Sequence, residues 1–124
     1  MMRAFWIDRE TNTAKVVITD GSLEELYELC HCSCIDITVI SVGGHMFNAV
    51  VDDEGLLKGK PDVSVFDRNG IPMLVGSVVL FGISKEDGDL VGLKDRQIDA
   101  ILENTGTALM TDGSMRCVMI ADRL

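Results

Sequence analysis

The runs from Arg3 to Asp8 and from Ala14 to Thr19 are rich in apolar, β-branched and aromatic residues and predict two strands. The polar stretch Arg9 to Thr13 between them, with Asn12, reads as a hairpin turn. A helix is predicted next. Ser22 is its N-cap, Glu25 completes a capping box three residues on, and Leu23, Leu26, Tyr27 and Cys30 form a stripe at helical spacing. Ile35 to Val42 and His45 to Val51 then predict two strands joined by Gly43-Gly44, a strong two-residue hairpin signal. In the first of these, Ile35, Ile37 and Val39 share one face while Asp36 and Thr38 point the other way, which fits an antiparallel strand with one wet side.

Asp52 to Gly55 turns the chain, and Pro61 interrupts any regular continuation. Val63 to Phe66 is expected to be a short edge strand, followed by a turn at Asn69-Gly70. Met73 to Ile83 is the most strand-like segment. Val75, Val79, Phe81 and Ile83 occupy one parity, and Val78 and Leu80 the other with Gly76 and Gly82. Apolar residues on both faces imply a central strand covered on both sides, with the glycines leaving room for a helix. After an exposed loop, Lys85 to Asp89, a second amphipathic helix is expected from about Lys94 to Asn104, closed by Gly106 as C-cap. Thr107 to Thr111 and Ser114 to Ala121 flank a last hairpin turn at Asp112-Gly113.

This order predicts an α+β domain: a twisted, mainly antiparallel sheet with two helices packed against it. With 124 residues and no linker, repeat or low-complexity segment, the chain reads as one domain, 1–124. Apolar residues at 47% can fill a core, and aromatics at 5% with charged residues at 25% argue against disorder. Trp6, Phe47, Phe66 and Phe81 lie within apolar strands and read as core rather than as a platform for bases. Charge changes the picture more. Twenty acidic against eleven basic side chains leave −9, which repels phosphate backbones and makes direct nucleic-acid binding an unfavourable reading. The only apolar run near the N-terminus, Ala4 to Ile7, is too short for a secretory leader, and Val78 to Ile83 is too short to span a bilayer. The expectation is therefore a cytoplasmic protein with no membrane attachment.

A specific order of turns appears in the middle of the chain. The strand ending at Asp52-Asp53-Glu54-Gly55 is followed by Leu56-Leu57, Gly59 and Pro61, then by strands closing on Val75-Gly76 and Phe81-Gly82, an acidic loop, and Leu93 with Gln97-Ile98 opening a helix. Over residues 14–104 this resembles a family of small uncharacterised, domain-of-unknown-function proteins carried by phages, plasmids and conjugative elements of Gram-positive bacteria. Relatives often carry Pro-x-Asn-Arg where this chain has Pro61-Asp62-Val63-Ser64, and Ser or Thr where it has Lys94. The resemblance implies an α+β fold and a mobile-element accessory role, and implies no activity. Residues 105–124 would be a C-terminal hairpin extension of the family-like core.

Cys30, His31, Cys32 and Cys34 are the densest cluster of metal-ligating types. Their spacing is not that of a Cys-x-x-Cys knuckle, and Cys117 and His45 are the only other cysteine and histidine, so a helix end packed with small apolar residues is the plainer reading. No thiol-exchange motif, Walker loop or Gly-x-Ser-x-Gly is present. The Asp52-Asp53-Glu54 triplet lacks the alternating pattern of a calcium loop. No catalytic residue, cofactor or metal is therefore assigned.

The expected function is non-enzymatic: an accessory protein that binds a host protein, with counter-defence as one role. Glu24, Glu25, Glu28, Asp52, Asp53 and Glu54 are the contact candidates. The alternative is a protein that binds or sequesters a nucleotide-like ligand through Lys58, Gly59, Lys60 and Pro61. Monomer and homodimer remain equally open.

Overall fold

The computed structural model describes residues 1–55 and 62–123. Ten strands and two helices follow in the order β1 (Met2–Asp8), β2 (Thr13–Thr19), α1 (Leu23–Cys30), β3 (Ile35–Val42), β4 (His45–Asp52), β5 (Val63–Asp67), β6 (Pro72–Val75), β7 (Val78–Ile83), β8 (Leu90–Val91), α2 (Asp95–Glu103), β9 (Thr105–Leu109) and β10 (Met115–Ala121). The α+β class stands. The strands, however, divide between two sheets rather than forming one.

The larger sheet runs β2-β1-β7-β4-β3, with β8 paired to the far end of β7, and all its ladders are antiparallel. The smaller runs β6-β5-β10-β9, with β5 and β10 parallel. The segment Met73 to Ile83 is therefore two strands, broken at Gly76-Ser77, and each half enters a different sheet. Gly76 has φ +76°, a left-handed conformation that lets the chain cross from one sheet to the other. Val63 to Phe66 is likewise not an edge strand: β5 lies between β6 and β10. Within the predicted hairpins, Gly43 and Gly44 both have positive φ, as a tight turn between twisted strands requires.

Two apolar clusters sit on opposite faces of the larger sheet. On one face Phe5, Ile7, Phe47, Ala49, Val78 and Leu80 meet Val65, Met119 and Ala121 of the smaller sheet and Ile101 of α2. On the other, Ala4, Val50, Val79 and Phe81 meet Leu26 and Cys30 of α1. β7 is central and buried on both sides, as its two-sided apolar pattern predicts. Gly82 gives room not to a helix but to β8, whose Val91 side chain would lie 3.1 Å from an added Cβ.

The helix ends differ in detail from expectation. Ser22 Oγ accepts from the Glu25 N–H at 3.3 Å, but Glu25 Oε1 reaches back to the Asp20 N–H rather than to the cap residue's own. Leu23 turns out to solvent, so the buried stripe of α1 is Leu26 and Cys30. α2 closes at Asn104, and Gly106 already belongs to β9 without a positive φ.

A candidate partner-binding face

Between Lys15 and Lys58 the sequence has no Lys or Arg. That stretch carries eight acids, Asp20, Glu24, Glu25, Glu28, Asp36, Asp52, Asp53 and Glu54, leaving twelve acids against eleven bases elsewhere. Nearly the whole excess charge thus belongs to the segment that builds α1, β3 and β4. These three elements are neighbours: β3 and β4 form a full eight-residue ladder, and α1 packs over β4 and β7.

Glu24, Glu28, Asp53 and Glu54 are exposed, and among the described residues none of them meets a Lys or Arg. Glu25 is half-buried by its bond to the Asp20 N–H, and Asp52 Oδ1 accepts from the Glu54 N–H at 2.9 Å, fixing the turn. The six predicted acids therefore sit on α1 and at the end of β4, four of them exposed and two engaged in local bonds. Asp36 belongs with them and was absent from the sequence-based set.

An apolar stripe lies beside these carboxylates. Ile37, Val39 and Met46 are 46%, 41% and 44% exposed, on the face of the sheet that α1 occupies. The cause is geometric. A helix is about 10 Å across and strands lie about 4.8 Å apart, so one helix covers about two strand spacings. α1 covers Ala4, Phe81, Val79 and Val50 on β1, β7 and β4, but on the outer strand β3 it reaches only Ile35.

β3 is the edge of its sheet. Cys34 O accepts from Asp53 N on the β4 side, at 3.1 Å, while Ser41 O accepts from Asp122 N on the outer side, at 2.7 Å. Strand alternation then points the backbone groups of Ile35, Ile37 and Val39 outward as well. One of these is occupied locally: the Ile37 N–H donates to Asp36 Oδ1 at 2.9 Å.

The cysteine-histidine cluster is dispersed by the end of α1. Cys30 is buried with its thiol on Val50 O, and burial pushes that thiol up to about 12, so it is not a thiolate nucleophile at neutral pH. Cys32 packs at the edge of the α1 cluster, and Cys34 is exposed. None of the four cysteines is in a disulfide, and among the described residues no three His, Cys, Asp or Glu side chains gather as metal ligands would.

His31 sits at the helix C-cap in the left-handed conformation, φ +54°, and turns toward the β1–β2 turn. Its Nε2 lies 2.8 Å from Asp8 Oδ1 and its Nδ1 3.5 Å from Glu10 Oε2. Both ring nitrogens face carboxylates, so neither is placed to take a proton from a hydroxyl or thiol. Burial raises the Asp8 pKa, but bonds from Thr11, His31 and the Glu10 N–H outweigh it and hold the carboxyl below its ordinary value. This is a bracket between helix and turn.

A second concave region lies on the smaller sheet. A cleft of about 360 Å³ is lined by Asp62, Phe66, Met110, Thr111, Ser114 and Arg116. Asp62 stands between two guanidiniums, 3.7 Å from Arg9 and 3.8 Å from Arg116. The predicted ligand loop, Lys58, Gly59, Lys60 and Pro61, lies outside the described residues. No described helix is long and apolar enough to cross a membrane.

A family model described as Domain of unknown function (DUF3846) matches residues 2–106, from β1 into the start of β9. No curated protein and no solved structure matches the chain.

Proposed function

We propose that the chain, which belongs to the family described as Domain of unknown function (DUF3846), works without catalysis, by binding a basic host protein through its α1, β3 and β4 face. Charge segregation carries this reading: eight acids and no Lys or Arg fall in the one segment that forms that face, beside an uncovered apolar stripe. A surface of this sign steers a basic partner toward it and repels nucleic acid. It can also occupy a groove that otherwise holds a phosphate backbone. The resemblance over residues 14–104 supports an accessory role in a mobile genetic element, with counter-defence in the host cytoplasm as the setting in which such competition is useful. The test is a pull-down from host lysate with Glu24, Glu25, Glu28, Asp52, Asp53 and Glu54 reversed to lysine. The specific partner is expected to be lost; retention of every partner would show the face to be uninvolved.

The cleft on the smaller sheet favours a second reading, a nucleotide-like small ligand. Its volume of about 360 Å³ lies within the usual range of ligand sites, and Phe66 and Met110 offer an apolar wall beside Arg116. A ligand that binds only the native state raises the melting temperature, so a thermal-shift panel of nucleotides tests it. A flat response removes this reading.

A further inference from the structure

We infer that the free edge of β3 takes an extended, basic segment of the partner as an additional antiparallel strand. This rests on the acidic-face reading and specifies how the partner is held. An exposed edge presents a row of backbone donors and acceptors that an incoming strand can satisfy, with affinity from the ladder and specificity from alternate side chains. On β3 the outward groups of Ile35, Ile37 and Val39 lie on such a row, ending where Asp122 already pairs with Ser41.

The side chains define what would fit. On the α1 face the newcomer's apolar residues would lie beside Ile37 and Val39, extending outward the uncovered apolar stripe that Met46 continues one strand further in. On the opposite face they would alternate with Lys or Arg beside Asp36. The Asp36 carboxylate now holds the Ile37 N–H; a partner carbonyl would take over that donor and release the carboxylate to pair with the incoming cation.

Charge selects the occupant. A second copy paired edge to edge would bring two segments of eight acids together without a compensating base, which disfavours self-pairing. The opposite edge of the sheet, β2, is of another kind. It carries Lys15, whose Nζ lies 5.6 Å from the Trp6 ring centroid, and a lysine on an edge strand discourages strand addition.

The probe is a capped peptide of about eight residues alternating valine and lysine, long enough to match a strand. Its controls are a glutamate-for-lysine twin and a twin N-methylated on the ladder-forming amides. Binding is read by fluorescence anisotropy. The lysine peptide is expected to bind, weakening as salt rises, and both twins to bind at least about tenfold more weakly. Val39→Pro removes only an outward N–H and is expected to weaken binding at least about tenfold while preserving the β3–β4 ladder. Should that variant fail to fold, the N-methylated twin asks the same question of the unaltered protein.

Equal binding of the lysine peptide and its N-methylated twin would overturn strand addition. The acidic-face reading would then stand if reversing the six carboxylates still abolished capture. Binding of neither the lysine nor the glutamate peptide would also overturn the inference. A two-chain species in sedimentation that Val39→Pro dissolves would replace the basic segment by a second copy.

Discussion

The two ends of the sheet system handle charge in opposite ways. Around the smaller sheet, guanidiniums are matched to carboxylates: Arg68 to Asp122 at 2.6 Å, Arg123 to Asp67 at 2.9 Å, and Arg9 and Arg116 to either side of Asp62. Arg9 is buried and also donates to the carbonyls of Val63 and Cys117 and to Asn12 Oδ1, so it joins the β1–β2 turn to both β5 and β10. Around α1, β3 and β4, acids accumulate with no Lys or Arg in the same segment. Charge in the first region is internal architecture. In the second it lies largely at the surface, with Glu24, Glu28, Asp53 and Glu54 exposed.

That contrast can be broken most forcefully at Arg9. Replacing Arg9 by Ala removes a buried cation that spans two sheets and leaves Asp62, Val63 O and Cys117 O short of partners. The expected loss is about 3 to 5 kcal/mol in urea unfolding, because the Val63 and Cys117 carbonyls each lose a charge-assisted partner, at about 1.5 to 3 kcal/mol apiece. A loss under about 1 kcal/mol would mean that water or Arg116 substitutes freely.

Acid separates the regions next. The depressed pKa of Asp8 means that the folded state keeps this carboxylate ionised where the unfolded chain, near pH 3.9, does not. Its contribution is present above about pH 4 and is lost as pH falls through the lower folded value. Asp8→Asn is expected to cost about 1 to 3 kcal/mol at neutral pH and to flatten the decline in stability below pH 4. Part of the slope should remain, because Asp67 is also held low by the Ile71 N–H, Arg123 and the Asn69 N–H. A variant whose acid limb matched the parent's would show that the His31 bracket is dispensable.

The smallest effect is expected on the acidic face. Neutralising Glu28, Asp53 and Glu54 together should leave stability within about 0.5 kcal/mol of the parent. Any change should be toward greater stability, since Glu28 lies near the negative end of α1. A larger loss in urea unfolding would make those carboxylates structural and erase the contrast between the two regions.

Much of the local structure was legible from the chain. The glycine pair at 43–44, the Ser22 cap, the two-sided apolar pattern of Val78 to Ile83 and the Asp112-Gly113 turn each follow from local conformational preference, and each is found. The break at Gly76-Ser77 is marked in the chain by that small pair alone, and the apolar residues on both sides of it make Met73 to Ile83 read as one strand. Only Gly76's positive φ and the separate partners of β6 and β7 reveal two strands. The acid-rich segment could be read from composition, but the uncovered apolar stripe on β3 could not. Ile35, Ile37 and Val39 carry the signature of a buried face, and whether that face is covered depends on the reach of α1, which is a tertiary fact. Asp36 was missed for the same reason: its importance comes from the edge position of β3, which no local pattern marks.

The place of β7 also determines the order in which the chain can assemble. β1 with β2, and β3 with β4, are complete hairpins built from adjacent residues, yet neither pairs with the other; β7 joins them from between. During synthesis both hairpins emerge before Val78 exists, so β1 and β4 must wait with open edges and with Phe5, Ile7, Phe47 and Ala49 uncovered. Insertion of a strand between two waiting edges is a long-range step that is slow for reasons of chain entropy rather than of strength. The interval before β7 arrives is therefore when this protein is most exposed to mispairing, and a nascent chain paused within that interval would be its most aggregation-prone form.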